Sequence, residues 1–194
     1  MFTALLDTCV LWPSLQRDVL LSLAAEGMYR PAWSNAILAE LHYAETAKHV
    51  RNGDIPEVAA ARAARLLIHM RRAFNDAEIS GWEGLEGTYG LPDPDDEHVL
   101  AAAVVAGAGA IVTLNLKDFP ADRLPLGIQT LTPAQFAVDT VSLDPPRALD
   151  AIRSIARRSG RSGPQRTVDE LLDVLAHRYH FDDAVDLLRS VTLE

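Results

Sequence analysis

The stretch LPDPDDEHVLAAAVVAGAGAIVTLNLKDFP, residues 91–120, holds a complete helix-to-strand unit. Proline and aspartate precede an apolar, alanine-rich run, so a helix is expected over residues 96–106, ended by Gly107 and Gly109. Residues 110–114 are apolar but too few for a helix, which predicts a buried strand with Asn115 at its end. The same alternation extends in both directions. Residues 3–6 form a short apolar run that stops at Asp7 and reads as a first strand. Residues 18–25 read as a helix ended by Gly27. Residues 29–33 predict a second strand, and Pro31 would suit only an edge or a strand end. Ser34 is a good N-cap for a helix through Ile37, Leu38, Leu41 and Ala44. Pro56 opens an Ala- and Arg-rich helix over residues 57–72, and residues 79–82 and 128–131 read as further short strands. Thr132 and Pro133 cap a short helix reaching Val138. Strands alternating with helices imply an α/β fold, a parallel sheet flanked by helices with right-handed crossovers. In such sheets the functional crevice lies at the carboxyl ends of the strands, where Asp7 and Asn115 fall.

Asp144-Pro145-Pro146 reads as a linker. After it, three short helices are expected over residues 147–158, 167–177 and 182–190, with Leu171, Leu172, Leu175, Val185, Leu187 and Leu188 as apolar faces. The expected organisation is a domain over residues 1–140 and a small helical appendage over 141–194. The composition, 48% hydrophobic and 23% charged, is that of an ordinary globular chain. A formal net charge of -9 argues against a uniformly basic nucleic-acid binder. It leaves room for an enzyme that concentrates carboxylates in its own site and needs only a local basic rim. One cysteine, Cys9, excludes a disulfide framework and a thiolate metal site, and reads as a small buried apolar side chain. No apolar run approaches the roughly 18 residues of a membrane span, and the N-terminus enters an apolar run with no basic leader, so a cytoplasmic protein is expected.

Acidic residues recur at corresponding places in these units. Glu40 follows Ile37 by three and precedes Ala44 by four, at the edge of its helix's apolar stripe, where a carboxylate is costly unless something pairs with it. Asp96 opens a helix, where capping alone would explain it; Asp93 and Asp95 crowd the same turn, and three near acids repel unless a cation relieves them. Asn115 and Asp118 follow a strand, where turn chemistry alone would account for both. Four separate segments thus deliver a carboxylate or amide oxygen to one predicted edge. Hard oxygen ligands without cysteine or clustered histidine suit Mg²⁺, or Mn²⁺. His98, beside the acids, reads as a residue behind the ligands or at the surface.

These segments carry a family resemblance. The opening LLDTCVL with Asp7, the segment YRPAWSNAILAEL with Glu40, LPDPDDEHVLAAA with Asp93 and Asp96, and IVTLNLKDFP with Asn115 and Asp118 resemble the four acidic motifs of PIN domains, over about residues 1–140. The resemblance implies a Mg²⁺- or Mn²⁺-dependent endoribonuclease, more narrowly a VapC-type toxin of a toxin–antitoxin pair, silenced by a cognate antitoxin. Asp7, Glu40, Asp96 and Asp93 would hold the metal. Asn115 or Asp118 would complete the site, the fourth position being aspartate in many relatives and asparagine here. The chemistry implied is hydrolysis of an RNA phosphodiester, with transfer RNA the first guess, by water that the cation activates. Two other readings stand beside it. One is a non-catalytic PIN scaffold that binds RNA or a protein partner. The other is a haloacid-dehalogenase-like phosphatase, against which Cys9 weighs, since that chemistry wants an aspartate two residues after the first. Arg153, Arg157, Arg158 and Arg161 lie in a basic segment free of acids and are expected to contact RNA phosphates. A homodimer through the helix carrying Val58, Ala61, Leu66 and Leu67 is also expected.

Overall fold

The computed structural model describes residues 1–160 and 164–192. Arg161 lies outside the described residues. The chain packs as two compact units, one of residues 2–12 and 31–130, the other chiefly of residues 13–30 and 131 onward.

The first unit holds the sheet. β1 (Thr3–Leu6) is followed by a one-turn helix, α1 (Thr8–Leu11). Outside this unit comes α2 (Ser14–Ala25). Then β2 (Arg30–Ser34) leads into α3 (Asn35–Arg51), and Ser34 caps it by accepting from the Ile37 amide at 3.1 Å. Pro56 occupies the first turn of α4 (Pro56–Ala73), where its missing N–H costs nothing. β3 (Glu78–Ile79), α5 (Glu97–Ala106), β4 (Ala110–Val112) and β5 (Gln129–Leu131) complete it. The strand order is β3-β2-β1-β4-β5, with β1 parallel to β4 and β2 parallel to β3. The order reverses at β1, so the carboxyl ends of β1 and β4 flank the switch point where α/β sheets place their sites. α5 is buried from Glu97 through Ala103 because Val99 to Ala103 are all apolar and pack on β1 and β4. Gly107 ends it in the left-handed region at φ 60°, the conformation that favours glycine.

Three details differ from the sequence reading. β2 is interior, and Pro31 is buried within it; pairing with β3 begins at Trp33, beyond the proline, so no bond to β3 is lost there. β4 stops at Val112, which frees Thr113 to turn toward the end of β1. β3 is confined to two residues, with Trp82 beyond it.

The second unit is helical: α2 with α6 (Pro133–Leu143), α7 (Pro145–Arg158), α8 (Val168–Tyr179) and α9 (Asp182–Thr192). Asp144-Pro145-Pro146 is no linker. Asp144 accepts from the Arg147 amide at 3.1 Å, capping α7 one residue after α6 ends, and both prolines sit in α7's first turn. The boundary expected at residue 140 falls inside α6, whose buried Phe136, Ala137 and Val141 pack with α9. Leu171, Leu172, Leu175, Val185 and Leu188 are buried as their spacing predicts. Tyr29 meets Phe136 edge-on at 4.7 Å.

Candidate active site

Asp7 leaves β1 still bonded to the sheet, its amide donating to Val112 O at 3.1 Å. Its carboxylate is buried and accepts from Thr113 Oγ1 at 2.7 Å and from Cys9 Sγ at 3.0 Å. Cys9 Sγ in turn accepts from the Leu114 amide at 3.2 Å. The ends of β1 and β4 are thus laced together through side chains. Burial, followed by the Asp7 charge, pushes the Cys9 thiol up to about 12, so it stays protonated and serves as a donor. The sequence reading of Cys9 as merely apolar missed this, as it missed Thr113.

A second cluster forms beside it. Asp93 precedes a 3-10 turn over Pro94–Asp96, and its side chain accepts from the Asp95 amide at 3.0 Å. Asp96 stands at the N-cap of α5, yet its side chain caps nothing. It accepts instead from Asn115 Nδ2 at 2.9 Å. Asp118, on a 3-10 turn over Leu116–Asp118, is buried. One carboxylate oxygen from each of Asp93, Asp96 and Asp118 lies within 4.8 Å of the others. Burial first, then repulsion from Asp7, Asp93 and Asp118, raises the Asp96 carboxyl to about 6. Asn115 and Asp118 therefore do different work: the amide holds Asp96 as a donor, and the carboxylate joins the acidic group. Three closely placed carboxylates, one of them reluctant to ionise, fit a hard divalent cation.

Glu40 is held from two sides. Thr8 on α1 donates to Oε2, and His98 on α5 meets Oε1 at 3.0 Å. Burial would raise this carboxyl, but the bonds from His98 and Thr8 outweigh it and lower it. The side chain stays 48% exposed, so it keeps open acceptor capacity. His98 is buried, and the ring of Trp82 packs against it at 5.9 Å.

Glu97 also escaped sequence reasoning. It is buried, and accepts from the Tyr89 amide at 3.1 Å and the Leu91 amide at 2.8 Å. Burial raises this carboxyl, but backbone N–H groups from Leu91, Tyr89, Gly90 and Gly87 more than offset it and lower it. Glu97 thereby fixes the segment that delivers Asp93. No local signal marked it: Glu97 opens α5 directly after Asp95 and Asp96, and its backbone donors lie six to eight residues upstream.

The basic residues singled out in the sequence lie in the other unit. Arg153 pairs with Asp150 at 3.0 Å and Arg157 bonds Ser154 at 2.6 Å, both on exposed positions of α7. Arg158 reaches across to α2, bonding Asp18 at 3.0 Å and Ser22 at 2.8 Å.

Comparison with known proteins bears on the family of this chain. The sequence pattern described as the PIN domain matches residues 3–117, which spans β1 through the turn carrying Asp118's neighbours. A Mycobacterium tuberculosis protein provisionally named ribonuclease VapC50 is 53% identical over 49 residues, which is 25% of this chain and 29% of that relative. The match thus spans less than a third of the relative's length. No solved structure matches significantly. Strand order, acidic motifs and the matched span lead to one assignment: the chain belongs to the PIN-domain family.

Proposed function

We propose that this chain is a divalent-metal-dependent endoribonuclease, the VapC-type toxin of a toxin–antitoxin pair. The observation that carries the reading is the meeting of Asp93, Asp96 and Asp118 within 4.8 Å beside the buried Asp7. A Mg²⁺ or Mn²⁺ ion bound there would polarise a phosphodiester and activate water. Asp93, Asp96 and Asp118 would hold it, with Asp7 supplying charge behind them and Glu40 reaching in from α3. Asn115 keeps Asp96 aimed, and Asp7 is kept aimed by Thr113 and Cys9. The name of the relative supports the ribonuclease and toxin assignment over the stretch it shares. The site sits in the sheet-bearing unit of residues 2–12 and 31–130, and the helical unit serves as an extension.

Transfer RNA is the substrate we expect first. Arg153 and Arg157 are the tail residues best placed to meet phosphates, since exposed bonds within one helix are worth little and exchange readily. Arg158 is better spent on holding α7 to α2. The protein acts in the cytoplasm, and no described helix is long and apolar enough to cross a membrane. It pairs with an antitoxin that blocks the acidic site and forms a homodimer through α4, to which Val58, Ala61, Leu66 and the neighbouring Ile68 offer accessible surface, whereas Leu67 is buried and packs inward instead. Cleavage of an RNA mixture with Mg²⁺ or Mn²⁺, abolished by a chelator and by co-expressed antitoxin, tests the reading. Binding of RNA without cleavage under either metal would instead favour the non-catalytic scaffold.

A further inference from the structure

His98 has one polar tether. Its Nε2 meets Glu40 Oε1 at 3.0 Å, while its Nδ1 is buried with no hydrogen-bond partner among the described residues. An imidazole kept inside a protein normally satisfies both nitrogens, so the ring is held here for what its one bond does. Two features fix its orientation. The residue is only 7% exposed, and the Trp82 ring packs against it at 5.9 Å. Trp82 is itself tied to the start of α3, its Nε1 donating to Asn35 Oδ1 at 3.1 Å. The chain of contacts runs from Asn35 through Trp82 and His98 to Glu40, and so begins and ends on α3.

His98 lies in the first turn of α5, two residues after Asp96. A helical turn is stiff, so the backbone positions that carry the imidazole and the Asp96 carboxylate are fixed relative to each other. Thr8 takes the other oxygen of Glu40 and stands next to Asp7 in sequence. Glu40 is therefore referenced on one side to Asp7 and on the other to Asp96. Without these bonds a half-exposed glutamate on a helix would sample several rotamers.

We propose that His98 is a positioning residue: through Nε2 it fixes the Glu40 carboxylate relative to Asp96, and so sets where Glu40 meets a divalent cation and the scissile phosphate. This rests on the ribonuclease reading for the phosphate, though not for the cation. Partners behind metal ligands act in this way in other proteins, orienting the ligand that the ion sees.

The test compares three substitutions in the full chain. In His98→Gln the amide nitrogen reaches as far as Nε2, whereas in His98→Asn it stops at the depth of Nδ1; His98→Phe fills the space without a donor. Mn²⁺ affinity is measured by titration calorimetry, and RNA cleavage is measured in parallel. His98→Asn and His98→Phe are expected to weaken Mn²⁺ binding or lower kcat about tenfold, with KM for RNA unchanged, while His98→Gln stays within about threefold of wild type. Equal behaviour of the Gln and Asn variants, or wild-type behaviour of all three, overturns the proposal. Should the Phe variant fail to fold, the Gln and Asn pair still decides. If wild type cleaves no RNA while Mn²⁺ affinities still separate Gln from Asn, the ribonuclease reading fails and the positioning role stands. If wild type binds no Mn²⁺, both fall.

Discussion

Asp96→Asn separates a metal site from a structural turn. In the metal-free protein the Asp96 carboxyl is raised from 3.8 to about 6, by burial and by repulsion from Asp7, Asp93 and Asp118. A carboxyl raised in the folded state costs stability when it must ionise. The cost is absent below the unfolded value of 3.8, grows as pH rises, and is complete above about 6. A shift of that size corresponds to about 3 kcal/mol unscreened. Asp96 is partly exposed, and solvent screening reduces this to about 1 kcal/mol. Asparagine removes the charge and keeps an oxygen that can still accept from Asn115. Without metal, the variant should melt about 2–4 °C above wild type at pH 7.5 and together with it at pH 4, given a chain of this size. Saturating Mg²⁺ should raise the wild-type melting temperature and barely move the variant. RNA cleavage should fall on the order of 10²- to 10³-fold. Differential scanning fluorimetry with and without a chelator, at both pH values, reads all but the last. A metal-free variant that melts below wild type at pH 7.5, with no response of either protein to Mg²⁺, would refute the reasoning and make Asp96 a structural anchor for Asn115.

Glu97→Gln points an amide N–H₂ at backbone donors and should cost about 1–3 kcal/mol in urea unfolding. Because the folded Glu97 carboxyl is lowered, its stabilisation is present above the unfolded value of 4.5 and fades as acid takes the pH through the folded one. A variant whose deficit stays constant from pH 7 to pH 3 would contradict that. Replacing Arg153 and Arg157 by alanine should weaken RNA binding and lower the slope of log affinity against log salt by about 1 to 2. Arg158→Ala should instead cost about 1 kcal/mol of stability, since it strips donors from Asp18 and Ser22; the reverse pattern would reassign the two roles. Val58→Glu combined with Ile68→Glu should turn a dimer into a monomer by light scattering, and a wild-type mass already monomeric at micromolar concentration removes that interface.

Much of this was legible in the sequence because the informative residues mark the ends of elements. β1 ends where the apolar run meets Asp7, and α5 ends at Gly107. α8 spans Val168–Tyr179, close to the helix expected over residues 167–177. What escaped depends on side chains that meet across the fold. Nothing local tells that Thr113 bonds Asp7 from 106 positions away, or that Asn115 donates to Asp96. The pairing Asn115 and Asp118 was ambiguous for the same reason: both sit in one turn, and only its three-dimensional path turns the amide toward Asp96 and the carboxylate toward Asp93. The interior place of β2 was obscured by Pro31, because a sequence rule cannot see that the neighbouring strand begins two residues later. The joint at Asp144 looked like a linker since two prolines break most patterns, whereas both fit a helix's first turn.

How this protein pairs its acids elsewhere argues for what the cluster is for. Away from the site, several carboxylates meet full cations: Glu45 has Lys48, Glu78 has Arg71 at 2.6 Å, Asp18 has Arg158 at 3.0 Å and Asp173 has Arg189 at 2.6 Å. At the site the partners are chiefly neutral donors: Thr113 and Cys9 for Asp7, Asn115 for Asp96, a backbone amide for Asp93. Among the described residues the ion-pair partners here are His98 on Glu40, which is a cation only when protonated, and Lys117, at 3.6 Å and largely exposed, on Asp118. Neutral donors orient a carboxylate without cancelling its charge. An arginine in their place would stabilise the fold more and would compete with any incoming cation. The chain therefore keeps several oriented, uncancelled negative charges at the switch point of its sheet and tolerates the repulsion recorded in the raised Asp96 carboxyl. That combination is costly for a structural turn and useful for a divalent ion, whose binding would relieve the repulsion.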